Sequence, residues 1–138
     1  MMDISMSNSS KIIELNQLGD ERGLLTVIEE NSTIPFDIKR VFYIYGTASE
    51  VSRGQHAHYK TRQVLVAVSG SCTVSLDNTD RKTEVVLNSP TKALLLEPND
   101  WHEMYNFSSD CVLLVLASHL FDSEDYIREY TKFIEVYS

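Results

Sequence analysis

Short runs of Val, Ile, Leu, Tyr and Phe recur about every ten residues along nearly the whole chain: "KIIEL", "GLLTVIEE", "IKRVFYIYG", "RQVLVAVSG", "CTVSLD", "TEVVLN", "KALLLEP" and "CVLLVLAS". Between them stand "GDERG", "TIPFD", "LDNTDRK", "LNSPTK" and "EPND", rich in the Gly, Pro, Asn and Asp that form turns. Many short strands at this spacing predict an all-β sandwich or barrel. The 138 residues suffice for one domain with a sizeable core and hardly for two. Alternation agrees: Val64, Val66 and Val68 share one side of their strand, and Gln63, Leu65 and Ala67 share the other. Both sides carry apolar groups, as in a strand between packed layers or at a subunit interface. Helix is predicted only near the end, where Ser123 would cap "EDYIREYTKFI" and align Tyr126, Ile127, Tyr130, Phe133 and Ile134 in a stripe. Met1 to Ser10, polar and Ser-rich, reads as a disordered tail ahead of a single domain over 11–138.

The charge balance excludes one class of partner. A net charge of −8 and a pI near 4.9 oppose nonspecific nucleic-acid binding, which needs a basic footprint. An anionic ligand must therefore be held by local arginines. The longest apolar run, "CVLLVLA", falls far short of the ~20 residues of a membrane span, and "MMDISMSNSS" has no secretory pattern. The cytoplasm, with no membrane attachment, is the expected compartment. The two cysteines, Cys72 and Cys111, lie inside strand patterns and read as buried, reduced thiols.

The stretch "SRGQHAHYKTRQVLVAVSG" sets His56 and His58 one residue apart. In an extended strand, side chains at i and i+2 project to the same side, so two imidazoles share one cavity. Burying imidazole costs free energy unless its nitrogens find partners, so a pair of them in a sheet requires a reason. Three imidazoles and an oxygen ligand can also hold a transition metal, and His102 in "PNDWHEMYN" could be the third.

These residues resemble the cupin motifs. The first cupin motif reads H-x-H, three or four residues, Glu, six residues, Gly. Here it runs His56, His58, Gln63, Gly70, with an amide where the carboxylate stands. The second motif, Pro, x, Gly, two residues, His, three residues, Asn, is met by Pro98, His102 and Asn106, one residue short and with Asp100 in place of Gly. The resemblance implies a double-stranded β-helix, a jelly-roll-like sandwich, closed by a short C-terminal helix. Because Gln63 replaces the one anionic ligand, we expect no metal and no cofactor.

Taken together, "RGLLTVIEE", "IPFDIKRVFYI", "RGQHAH", "QVLVAVSGSC", "WHEM", "FSSDCVLLVLAS" and "DYIREY" resemble the cupin 3,4-ketoisomerases of thymidine-diphosphate-linked 4-keto-6-deoxyglucose. That resemblance spans Lys11 to about Phe133. It implies a 3-keto product used for 3-amino-3,6-dideoxyhexoses of surface glycans such as lipopolysaccharide or S-layer glycan. It also implies homodimers that exchange amino-terminal strands, with "KIIEL" as the candidate strand.

Moving a ketone from C4 to C3 requires a proton taken from C3, an enediol held, and a proton returned at C4, with no redox cofactor. Adjacent histidines, titrating near ~6.5 when unperturbed, suit such transfers. His56 and His58 are the candidate catalytic pair. Tyr43, Gln63 and His102 are candidate donors to the enediol oxygens, although an ordinary core aromatic is the plainer reading of Tyr43. Arginine forks suit a diphosphate, and Arg53 and then Arg22 are the candidates. Trp101 could wall the pocket and Glu103 could orient an imidazole. Two competing readings are a 3,5-epimerase of related sugar nucleotides and a non-catalytic sugar-binding cupin.

Overall fold

The computed structural model describes residues 11–138, so the expected disordered tail lies outside the described residues. Strands β1 (Ile12–Glu14), β4 (Arg40–Tyr45), β6 (Gln63–Ser69), β9 (Lys92–Leu96) and β11 (Val112–Ala117) form one antiparallel sheet in the order β1-β9-β6-β11-β4. Strands β5 (Arg53–His58), β7 (Cys72–Asp77), β8 (Lys82–Leu87), β10 (Trp101–Tyr105) and β12 (Tyr126–Ile127) form the second, in the order β12-β5-β10-β7-β8. A separate hairpin pairs β2 (Gln17–Asp20) with β3 (Gly23–Thr26). This is the expected jelly-roll-like cupin sandwich. Helix α1 (Tyr130–Tyr137) ends the chain. Among the described residues no helix is long and apolar enough to cross a membrane.

The two apolar faces of β6 have separate uses. Leu65 and Ala67 point between the sheets with Val74, Leu76, Leu94 and Leu113. Val64 and Val66 point outward and are covered by Leu15, Ile34 and Phe36 from the chain's own first segment. So the outer face is a second core layer. "KIIEL" was expected to reach a neighbouring subunit. It instead pairs with β9 of its own chain, Ile12 opposite Leu94 and Ile13 opposite Ala93.

The C-terminal helix begins later than its apolar stripe suggests. Ser123–Asp125 form one 3-10 turn capped by Asp122, not by Ser123, and Tyr126–Ile127 then extend to pair with β5. The i, i+2 alternation of Tyr126 and Arg128 is strand periodicity. Residues Tyr130 to Tyr137 alone coil, seating the fully buried Phe133 against Trp101 and Ile127.

Gly70, the glycine of the histidine motif, turns β6 into β7 with φ +65°. A Cβ there would meet Ser108 Oγ at 2.3 Å and the Cys111 Cα at 2.8 Å. We expect Gly70→Ala to lower unfolding free energy by about 2–4 kcal/mol, from left-handed strain plus overpacking. Denaturant unfolding at pH 7 checks this, and a loss below about 0.5 kcal/mol would contradict it.

Candidate functional site

Between the sheets, at the end of the barrel beyond the apolar core, lies a cavity of about 220 Å³. Phe42, Ile44 and Leu65 supply its floor from the first sheet; His56, His102 and Met104 face them from the second. Gln63 and Arg53 complete the polar lining, with Tyr126 and Arg128 at the side of β12. Convergent polar groups in an apolar pocket are the usual form of a small-molecule site.

A β-bulge brings Arg53 and His56 together. His56 is opposite His102, but Glu103 is opposite Gly54, so Gln55 is the extra residue, held at φ +63°. In a regular strand, residues three apart face opposite sides. With Gln55 looped out, Arg53 and His56 both turn inward. A bulky residue in the left-handed region is strained, and such strain concentrates at functional sites.

The three imidazoles form one cluster. The His56 ring centre lies 5.1 Å from that of His58 and 4.7 Å from that of His102, edge to face in both cases. His58 is deeper, 2% exposed, with its ring 4.7 Å from Tyr126. Tyr126 also packs 4.9 Å from His56, and the Arg128 guanidinium covers it at 4.4 Å. The 3-10 turn that delivers Tyr126 is fixed by Asp125, whose buried carboxylate accepts the Lys60 and Thr61 N–H groups at 2.7 and 3.2 Å.

Two ring nitrogens in this cluster, His56 Nδ1 and His58 Nε2, are buried without a hydrogen-bond partner. Unpaired buried polar atoms are costly, so they mark where a ligand's polar atoms belong. Burial, followed by the neighbouring imidazoles, pushes His56 down to about 3. Burial and then His102 push His58 down to about 3 as well. His102 is also lowered, chiefly by burial. All three are therefore neutral near pH 7. The groups that could hold a metal are these imidazoles and the Gln63 amide, and no carboxylate lines the cavity among the described residues.

Four residues singled out from sequence lie elsewhere. Tyr43 is 60% exposed: on β4, Phe42 and Ile44 take the inward positions, so its hydroxyl points away from the cavity. Trp101 and Glu103 flank His102 on β10 and so face the opposite side. Trp101 packs under α1, and Glu103 lies near the Ser52 hydroxyl at 3.4 Å, not against an imidazole. Both line a second groove of about 570 Å³, with Lys82, Tyr130 and Arg128. Arg128 belongs to both spaces and joins them. Arg22 lies on the exposed β2–β3 hairpin, held to Asp20 at 2.7 Å and remote from this cavity.

Residues 8–138 match the family model described as FdtA: WxcM-like, C-terminal. The chain belongs to this family. It is 52% identical over 124 residues to TDP-4-oxo-6-deoxy-α-D-glucose-3,4-oxoisomerase of Aneurinibacillus thermoaerophilus, covering 90% of this chain and 89% of that one. The 3,4-ketoisomerase QdtA of Thermoanaerobacterium thermosaccharolyticum, solved as a mutant with TDP-4-keto-6-deoxyglucose, superposes with a TM-score of 0.89 at 41% identity, covering 91% of each chain. The dTDP-4-dehydrorhamnose 3,5-epimerase of Bacillus anthracis is similar in fold alone, at 13% identity, TM-score 0.72, and 83% and 75% coverage.

The depressed histidines make stability pH-dependent with a definite sign. Their folded values of about 3 lie below the ordinary 6.5, so between these values the unfolded chain binds more protons. Stability is whole above about 6.5 and falls as pH drops toward 3. We expect a loss of about 2 kcal/mol per buried histidine between pH 7 and 5. Denaturant unfolding at both pH values, with His58→Asn reducing the difference, measures it. Equal stability at pH 7 and 5 would contradict neutral burial.

Proposed function

We propose that this chain is a TDP-sugar 3,4-ketoisomerase, moving the ketone of TDP-4-keto-6-deoxyglucose from C4 to C3. The observation that carries the mechanism is the pair of unpartnered nitrogens, His56 Nδ1 and His58 Nε2, in one cluster of neutral imidazoles. The hexose ring would occupy the 220 Å³ cavity and the diphosphate its mouth, between Arg53 and Arg128. The nucleoside would then extend along the 570 Å³ groove beside Tyr130 and Trp101.

His56, which lines the cavity, would take the C3 proton as a neutral base, leaving a C3–C4 enediolate. In the free protein its basicity is low, because burial penalises the cation. A negative enediolate alongside reverses that penalty and matches base to proton when substrate is bound. His58, behind His56, would exchange the enediol's oxygen-bound proton. Gln63 and His102 face the same space: the Gln63 amide would donate to the enediolate oxygen, and the free His102 nitrogen would accept from the neighbouring enediol hydroxyl. With the hydroxyl proton carried from O3 to O4, the His56 imidazolium would return its proton to C4, completing an isomerisation that neither gains nor loses electrons. The 3-keto product is a substrate for amino transfer, giving a 3-amino-3,6-dideoxyhexose. The free, buried thiols Cys72 and Cys111 suit a reducing compartment, and we place the enzyme in the cytoplasm.

Incubation with TDP-4-keto-6-deoxyglucose in deuterated buffer, followed by NMR, tests the reading. We expect a 3-keto product, with turnover surviving exhaustive chelation. His56→Asn should abolish C3 hydrogen exchange and cut turnover by roughly 100- to 10,000-fold. His58→Asn should slow product formation while some exchange persists. An inverted C5 would indicate epimerase chemistry, and no reaction would indicate a binding protein. Turnover within a few-fold of wild type in both variants would make the pair structural.

We further propose a homodimer in which the β2–β3 hairpin, rather than β1, is given to the neighbour. Leu18, Leu24 and Leu25 on the hairpin are 55–71% exposed, and Val41, Tyr43 and Tyr45 form an equally open row on edge strand β4. Apolar edge surface of this kind is normally covered. Arg22 and Tyr43 would then lie at the interface. Sedimentation at micromolar concentration should give a dimer, and Leu24→Glu should release monomer; a wild-type monomer refutes this arrangement.

A further inference from the structure

The turn between β9 and β10 reaches the backbone of His58 and the ring of His102 without lining the cavity. In Glu97–Pro98–Asn99–Asp100, the Asp100 N–H donates to the Glu97 carbonyl at 3.0 Å, and the Asp100 carboxylate accepts the Glu97 N–H at 2.8 Å. The turn is thus closed from both ends. Asp100 is 3% exposed, and a buried carboxylate requires a counter-charge; the Lys11 ammonium, just ahead of β1, supplies it. Glu97 is held in turn by the Arg62 fork at 2.8 and 3.0 Å.

Two carbonyls of the anchored turn are left for the site. Pro98 O accepts the backbone N–H of His58 at 3.0 Å, and Asp100 O accepts from His102 Nδ1 at 3.0 Å. A carbonyl oxygen only accepts, so His102 carries its proton on Nδ1 and presents Nε2 as a lone pair. Its ring faces that of His56 across 4.7 Å. The glycine of the cupin motif could supply neither the acceptor for the Glu97 N–H nor the partner for Lys11, which gives Asp100 at that position a physical use.

We propose that Asp100 is a positioning residue: its carboxylate, clasped between Lys11 and the Glu97 N–H, fixes the turn that sets the tautomer and orientation of His102. This rests on the ketoisomerase reading of the same pocket. Removing the carboxylate frees the Asp100 carbonyl to drift, and His102 then populates the Nε2–H tautomer, which puts a donor where the site otherwise holds an acceptor.

The test combines kinetics with nitrogen-15 NMR of labelled histidine in the substrate-free protein. Wild type should show a single Nδ1–H tautomer for His102. In Asp100→Ala that signal should shift to a mixture of tautomers, with kcat down about 10- to 100-fold, the scale of a small misplacement, and KM within about two-fold because Asp100 touches no substrate. Asp100→Asn, whose amide oxygen still accepts the Glu97 N–H, should restore most of kcat. Should Asp100→Ala not fold, Lys11→Met decides by the same spectra, with a mixed tautomer expected. An unchanged Nδ1–H signal in the folded alanine variant, or in Lys11→Met where it substitutes, overturns the proposal. So does a kcat loss that merely tracks the folded fraction. The spectra need no substrate, so a failure of the activity assay and a failure of this proposal are separately visible.

Discussion

Three imidazoles whose ring centres lie 4.7–6.1 Å apart in a protein interior can coexist only if they stay uncharged. A second positive charge at that distance would cost about 3–4 kcal/mol at an effective dielectric of about 20, a large share of a small domain's stability. The surroundings meet this condition through placement. No carboxylate lines the cavity among the described residues, and burial outweighs the pull of Asp125 on His58 and of Asp100 and Glu103 on His102. The nearest buried acids have other employment: Asp125 holds the Lys60–Thr61 backbone, and Asp100 holds Lys11 and its own turn. The site is thereby poised to receive a negative charge instead of storing a positive one.

The sandwich protects that arrangement from both sides. Toward the first sheet, the pocket floor of Phe42, Ile44 and Leu65 continues into the apolar layer of Val74, Leu94 and Leu113. On the far side of β5, Ala57 is fully buried with Trp101, Ile127 and Phe133. The Tyr137 hydroxyl donates to the His58 carbonyl at 2.7 Å, so α1 also secures the backbone of the strand that bears the histidines. Rotation of either ring must work against packed groups, and acid–base geometry depends on that stiffness.

The sequence disclosed the parts of this arrangement that depend on period alone. The strand spacing predicts the sandwich, and the intervals among His56, Gln63 and His102 survive as neighbours around one cavity. What it concealed depends on local departures from period. Nothing in "RGQHAH" reveals that Gln55 is looped out, since the bulge is fixed by pairing with β10, some 46 residues away. Tyr43 shows the converse: alternation says that it and Phe42 face opposite ways, but only tertiary packing says which faces inward. Tyr126 and Arg128 were obscured because "YIREYTKFI" carries a helical stripe, and pairing with β5 overrides propensity for its first residues. A strand reading of "DYIR" was available from its i, i+2 pairing of an aromatic and a cation.

The looped-out Gln55 also divides β5 into two reading frames. Upstream of it Arg53 is set for anchoring, and downstream His56 and His58 are set for proton transfer, each held by its own stretch of β10. Insertion of one residue into β10 opposite Gln55 would restore a regular ladder and turn the arginine outward while leaving the imidazoles where they are, whereas loss of Gln55 itself would set Arg53 and His56 two apart and keep both inward. Insertion, as distinct from substitution, could therefore separate grip from chemistry in a single step. A lineage that drifted by this route would retain an intact catalytic cluster beneath a mouth with a different preference for what enters it.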